Sequence, residues 1–445
     1  MNSAATGAAG TGSERKLGRW MAVSLVIGNM IGSGAFLLPA TLAPLGWSSI
    51  GGWLLTIAGG VCLAAVFCWL VRAMPRDGGP YVYTREAFGP LVGFTVTWSY
   101  WISLWIGNAA IATASVSYLG AFFPVFNGTS GAAPLAACAV TWALTLLNIR
   151  GVRSAGRFQL VTTLIKLVPL TLVVVLAAWA LGAGKASLPP LHDGEITPGA
   201  VTAAATLTLW ALLGLESATV PAGKIEDPER TVPFATMVGT AGTGLVYLLT
   251  SSAIILLMPR DVIAGSGAPF SDFVAHYWAA GPALAVAGFA AISCVGALNG
   301  WILVQAELPY AMARNGAFPE WFGKETRHGT PGRALVVSSL LMTIVILLNY
   351  QRSAAEIFQF LILLSTATTL FMYLACMLAA LRLSGKGRLA RSTLLPTVAV
   401  IAAAYSLWTI YGAGGEAVGW GLLLLAAAIP AYYAMKLAKG RDTVD

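Results

Sequence analysis

Charge is what this 445-residue chain has least of: 10% of its residues are Asp, Glu, Lys or Arg, against 57% that are hydrophobic. An average soluble domain carries about 25% charged residues. Too little charge is present to coat a water-facing surface, which excludes a soluble enzyme, a nucleic-acid binder and a disordered scaffold. Histidine is nearly absent, and His192, His276 and His328 stand in separate polar connectors. The five cysteines (Cys62, Cys68, Cys138, Cys294 and Cys376) all fall inside apolar runs with no CxxC spacing. Such a set reads as small packing residues, so neither a disulfide framework nor a metal site nor a cofactor is expected. No apolar run holds a nucleophile–base pair, an HExxH or a histidine cluster, and no filter-like loop recurs. A membrane enzyme and an ion channel are thereby disfavoured. Residues 1–19 lack an apolar core ahead of Trp20 and read as a flexible tail, not a cleaved signal peptide.

Long apolar runs are what the chain does have. Residues 159–183 hold one charge, and 235–258 and 392–415 hold none. Each run exceeds the roughly 20 residues that span a bilayer. Hydropathy places twelve helices near 20–43, 50–71, 91–122, 133–149, 157–181, 199–222, 233–257, 282–313, 333–349, 355–381, 392–412 and 417–437. With the amino terminus inside, the cytoplasmic segments hold 22 of the 26 Lys and Arg and the outer loops three, and Lys166 alone falls within a span. Basic residues favour the cytoplasmic side, and a missed or invented span would scramble that alternation. The expectation is an all-α protein of the cell (inner) membrane with both termini cytoplasmic, so the net charge of +8 mostly reflects topology.

Two spans are interrupted by small residues. The first reads Gly28-Asn29-Met30-Ile31-Gly32-Ser33-Gly34-Ala35 and the sixth Leu212-Leu213-Gly214-Leu215-Glu216-Ser217. Lying five spans apart, they cross the membrane in opposite directions. Glycine in a membrane helix most often serves close packing. Interruptions at matching places in two halves point instead to a transporter site. A helix broken at mid-membrane frees N–H and C=O groups that hydrocarbon cannot satisfy. A polar substrate can: N–H groups at a half-helix start suit a carboxylate, and freed carbonyls suit an ammonium.

At these residues the chain resembles the amino acid–polyamine–organocation transporters. Gly32-Ser33-Gly34-Ala35-Phe36 with Pro39 is similar to that family's first-helix signature, and Asp77-Gly78-Gly79-Pro80-Tyr81-Val82-Tyr83 to the loop after its second helix. Glu226-Asp227-Pro228-Glu229-Arg230-Thr231-Val232-Pro233 resembles the loop after the sixth helix, and Ala313-Arg314-Asn315-Gly316-Ala317-Phe318-Pro319 the end of the eighth. Trp105-Ile106-Gly107-Asn108 and Trp210–Ala218 resemble most the basic amino acid and polyamine antiporters, such as those of arginine/agmatine type. The resemblance implies a five-plus-five inverted-repeat core over 20–381 with helices 1 and 6 broken. It further implies two additional spans over 382–437, a cytoplasmic tail over 438–445, and alternating access.

Glu216 is the one acid near the middle of helix 6, and charge at the bilayer centre costs several kcal/mol. Such an acid normally faces a cavity or pairs; the resemblance implies a coupling or gating carboxylate. Trp210 and Trp301 lie within spans and not at their ends, where interfacial tryptophans sit. By resemblance Trp301 stacks on the substrate side chain, Trp210 gates the site, and Tyr100 supplies an outer-gate aromatic. Asn108 and Ser365, polar groups that otherwise glue helices together, would contact a cationic head. Ser33 and Gly34 would hold a carboxylate, and the carbonyls of Met30, Trp210 and Leu213 an α-ammonium. Glu307 reads as a structural or inner-gate residue.

Lys166 departs from the arginine/agmatine antiporters, which have a small apolar residue there, and is shared with proton-coupled and heteromeric light-chain members of the superfamily. It lies about nine residues into its span, too deep for easy snorkelling. Its ammonium can donate three hydrogen bonds, and the carbonyls freed near Gly28–Ser33 need donors.

The first reading is therefore an antiporter exchanging a cationic, arginine-like amino acid for its decarboxylated amine. Its alternative is a proton-coupled permease or exchanger for neutral or broad-range amino acids. A non-transporting amino acid sensor is the competitor from another class, and no long soluble output segment supports it. The expected partners are a small amino acid or amine and the lipid bilayer, with no nucleic acid; assembly as a homodimer stays open.

Overall fold

The computed structural model describes residues 18–127, 131–150, 152–348 and 354–441. The tail expected over 1–19 lies outside these but for its last two residues, and Arg19 already opens the first helix. Of the tail expected over 438–445, residues 442–445 lie outside and the last helix runs on to Arg441.

Among the described residues the fold is helical, with no strand. The first span is two helices, α1 (Arg19–Met30) and α2 (Ser33–Leu42), parted at Ile31-Gly32. Helix α3 (Trp47–Ala73) is the second span, and the short α4 (Pro80–Phe88) leads into α5 (Pro90–Leu119), the third. Then come α6 (Ala132–Ile149), α7 (Val152–Gly182), α8 (Pro198–Leu212) and α9 (Pro228–Leu257). Two short helices, α10 (Arg260–Ala264) and α11 (Pro269–Tyr277), occupy what hydropathy reads as a plain loop. Helices α12 (Ala280–Arg314), α13 (Gly332–Leu348), α14 (Ala354–Gly385) and α15 (Leu394–Gly412) are the eighth to eleventh spans.

The twelfth span is α16 (Gly415–Ala426) followed by α17 (Ala428–Arg441), parted at Ala427. Pro430, having no N–H, cannot continue the ladder across that joint. Eleven of these spans are long and apolar enough to cross a bilayer, and the 17-residue α13 is a shorter twelfth.

The packing repeats itself between the two halves. Spans 2 and 7 (α3 with α9), 3 and 8 (α5 with α12) and 4 and 9 (α6 with α13) pack on each other. The contact of α1 with α9 is matched by α8 with α3, and that of α5 with α14 by α12 with α7. Exchanging each span for the one five later thus returns these pairs. That is the contact signature of two inverted halves.

Helices α3, α7 and α12 each carry a basic connection at the same side of the bundle, beside Arg72, Arg150 and Arg314. There Asp77 accepts from the Gly223 N–H (2.8 Å) and the Gly78 N–H donates to the Val220 carbonyl (2.9 Å). The loop after the second span is thereby tied to the end of the sixth. At the opposite side Arg260 pairs with Glu195 and holds that carboxyl below the usual carboxylate range.

The sixth span, expected near 199–222, breaks within the interrupted stretch Leu212–Ser217. It stops at Leu212, Leu213 is extended, Gly214 has φ +110°, and only 3-10 turns at Ser217–Thr219 and Ala222–Lys224 follow. A side chain at 214 would adopt a backbone conformation rare for L residues and meet the Trp301 ring at 3.0 Å. Strain of that kind costs about 1–3 kcal/mol. Gly214→Ala is therefore expected to lower the thermal unfolding midpoint in detergent. Gly242→Ala, whose new methyl enters open space in α9, should leave the midpoint level or raise it. Equal midpoints for wild type and Gly214→Ala would show that the break tolerates a side chain.

Candidate functional site

The two breaks meet at one cavity of about 40 Å³, walled by α1, α2, α5, the end of α8, α12 and α14. Its polar side chains Asn29, Ser33, Tyr100, Asn108, Glu216 and Ser365 are each at most 2% exposed. These polar groups are thus buried inside the bundle.

At the first break the carbonyls have lost their helical partners. Past Met30 the chain turns extended, and the Ile31 N–H still closes on Ile27, so the next three carbonyls are orphaned. Each accepts a side-chain donor from a different helix. Lys166 of α7 donates to Gly28 O (2.5 Å), Trp301 Nε1 of α12 to Asn29 O (2.9 Å), and the Tyr247 hydroxyl of α9 to Met30 O (2.7 Å). Lys166 is fully buried and does not line the cavity; it acts on the wall from behind.

On the far side of the break, α2 begins at Ser33 and turns its first N–H groups, and the positive end of its dipole, to the cavity. Both amide atoms of Asn29 and the hydroxyl of Ser33 are buried without a hydrogen-bond partner among the described residues. Buried polar atoms are nearly always paired, so these are the cavity's open positions.

The second break is organised by Glu216. Its Oε1 accepts from the Tyr100 hydroxyl (2.7 Å), and its Oε2 from the Tyr373 hydroxyl (2.5 Å) and the Gly214 N–H (3.1 Å). Three donors, from α5, α14 and the break itself, converge on one acid with no exposed surface. Tyr100 is the lining residue of α5 closest to its Pro90 end, which follows the connection bearing Arg72, Arg76 and Arg85. It therefore closes the cavity toward the basic side. The Glu216 carboxylate holds its hydroxyl at that end.

Two indoles line the rest. Trp210 lies between α2 and α5, its ring reaching toward Gly34 at one edge and Gly107 at the other, where any side chain would overlap it. Trp301 is fixed by its N–H on Asn29 O and packs beside Gly214. Asn108 donates to Gln305 Oε1 (2.8 Å) and Ser365 to the Ser103 carbonyl (2.7 Å), so both also join helices.

Met30, Ser33, Gly34, Asn108, Trp210, Leu213, Trp301 and Ser365, with Tyr100 and Glu216, all line this single cavity. One lone pair of the Met30 carbonyl is taken by Tyr247, and the Trp210 carbonyl accepts the Leu213 N–H (3.2 Å). Glu307 stands apart, half-buried on α12 about 9 Å beyond Trp301 toward Arg314. Sequence reasoning passed over Asn29, although it sits inside the interrupted motif. It also missed Tyr247 and Tyr373, which carry no local signal, since tyrosines within spans read as packing.

Residues 17–427 match the amino acid permease family. A cadaverine/lysine antiporter of Escherichia coli (strain K12) is 34% identical over 344 residues, 77% of each chain. The putrescine transporter PotE of Haemophilus influenzae is 30% identical over 92% of this chain and 95% of its own. A putative arginine/ornithine antiporter of Bacillus subtilis (strain 168) is 30% identical over 89% and 91%. These relatives are named as transporters or antiporters, none as an enzyme. A twelve-span helical bundle with two broken helices, matched over nearly its whole length, belongs to the amino acid permease family of membrane transporters.

Proposed function

We propose that this protein is an antiporter that exchanges a cationic amino acid for a decarboxylated amine by alternating access, with both termini in the cytoplasm. The observation that carries the reading is the pairing, in one cavity within the bundle, of unpartnered polar groups at a half-helix start with two indoles and a buried carboxylate. The substrate carboxylate is assigned to Ser33 and the N–H groups that open α2, where the helix dipole favours an anion. The α-ammonium is assigned to Asn29 and to the remaining lone pairs of the Met30, Trp210 and Leu213 carbonyls. The cationic tail lies against the Trp301 face, with Asn108 and Ser365 at its head. Trp210 gates the cavity, and the Glu216–Tyr100–Tyr373 cluster is its floor toward the cytoplasm.

The relatives' named substrates (lysine and cadaverine, putrescine, arginine and ornithine) have a charged tail in common, which supports this class over neutral amino acids. Proteoliposomes preloaded with each of these compounds, or with agmatine, should take up labelled lysine, ornithine or arginine faster than empty ones. Absence of trans-stimulated uptake for the whole panel would remove the exchange reading.

Trp301→Leu should weaken binding of the cationic substrate by a few-fold to about thirtyfold, since a desolvated cation–π contact is worth about 0.5–2 kcal/mol. Trp301→Phe keeps a π-face but loses the donor to Asn29 O, so it should fall between. Calorimetry on the purified variants checks this order. Wild-type affinity in the Leu variant would reduce Trp301 to a wall residue.

A second reading, uptake coupled to protons, is favoured by one observation, the buried Lys166 ammonium on the Gly28 carbonyl. A cation so placed ties α7 to the broken first span and couples transport to pH if it releases its proton when the two helices part. Flux through Lys166→Ala, reconstituted and followed from pH 5 to 8, is expected to be strongly reduced or to lose its pH dependence. Wild-type flux should not require sodium. A variant that transports like wild type across that range would assign Lys166 to packing alone.

A further inference from the structure

Besides the central cavity there is an open groove of about 720 Å³ between α3 and α9 at the basic side of the bundle. The two helices run antiparallel, and each lays one stripe along the groove. On α3 the stripe is Ala65, Trp69 and Arg72; on α9 it is Arg230, Phe234 and Val238. Charge therefore collects at one end and apolar surface at the other.

From Arg230 to Val238 the stripe descends about 12 Å, close to the depth of one leaflet of a hydrocarbon core about 30 Å thick. Trp69 stands one helical turn from Arg72, at the level where interfacial tryptophans sit. Arg19, at the start of α1, lays its guanidinium 3.5 Å above the Phe234 ring, and Trp20 packs edge-on to the same ring (6.1 Å). Arg72 and Arg230 thus flank the mouth, with Glu229 lining the groove and Asp227 3.8 Å from Arg230. That ion pair is exposed on both sides (90% and 59%), so it competes weakly for Arg230. Arg72 forms no ion pair among the described residues.

We infer that this groove binds one anionic phospholipid, with its phosphate between Arg72 and Arg230 and one acyl chain along Ala65, Phe234 and Val238. The charge of the mouth selects the headgroup. Apolar walls one leaflet deep select a lipid over a soluble phosphate. Because Phe234 is also the seat of Arg19 and Trp20, the lipid lies against the start of α1, the half-helix that carries the first break.

Native mass spectrometry of the full chain in detergent, mixed with phosphatidylglycerol or with phosphatidylethanolamine, tests this. Each arginine near an anionic headgroup is worth about a factor of five. Phosphatidylglycerol retention by the Arg72→Ala/Arg230→Ala variant should therefore fall about tenfold to thirtyfold, with phosphatidylethanolamine unchanged. Ala65→Phe, which fills the chain path and keeps both arginines, should lose phosphatidylglycerol as well. Arg327→Ala, an exposed base elsewhere, should retain it, and inorganic phosphate should not displace it. Variants are compared as monodisperse protein on gel filtration. Undiminished phosphatidylglycerol on either the double variant or Ala65→Phe would overturn the assignment, as would displacement by inorganic phosphate.

Discussion

A helix broken inside a membrane must find partners for the carbonyls it frees, and the rest of this structure is arranged around that need. Gly28, Asn29 and Met30 present three orphaned carbonyls in a row, and Lys166, Trp301 and Tyr247 reach them from three different helices. An unsatisfied buried polar group costs about 1–3 kcal/mol, and a folded domain has only about 5–15 kcal/mol to lose. The three caps together are therefore comparable to the whole margin of stability. They also dictate which helices surround the first span: α7, α9 and α12 must each bring a donor to within hydrogen-bond reach of it.

The second break is handled by the opposite chemistry. There the chain supplies an acceptor, the Glu216 carboxylate, and donors come to it from Tyr100, Tyr373 and the Gly214 N–H. One break is thus held by side-chain donors on backbone acceptors, the other by a side-chain acceptor with donors around it. Between them lies a cavity with both kinds of group on its walls, which suits a ligand carrying a carboxylate and ammonium groups. Most of these groups are already paired within the protein. Those left open, the Asn29 amide and the Ser33 hydroxyl, lie at the first break.

Both breaks touch through Trp301, which donates to Asn29 O and packs beside Gly214. A rotation of the first span against α12 would part this contact and disturb the second break at once. Tyr100 and Tyr373 extend the linkage, since α5 and α14 cannot separate without removing a donor from a fully buried acid. Any motion that parts these helices would have to exchange such contacts together, because each lost partner leaves a buried polar group unpaired.

By itself the sequence determined the class of protein, its twelve spans, the place of both breaks and the depth of Glu216 and Lys166. All of these follow from local quantities: run length, charge position and glycine spacing. The family motifs further named the residues that turn out to share one cavity. Only the tertiary structure decided who satisfies whom. Tyr373 lies 157 residues from Glu216, and Tyr247 lies 217 from Met30. A tyrosine inside a span carries no mark that separates a capping hydroxyl from a packed ring. The same holds for the side of the cavity on which Tyr100 acts. Hydropathy reports what a segment can bury, whereas the partner of a buried polar atom is set by which helices the folded bundle brings within about 3 Å of it.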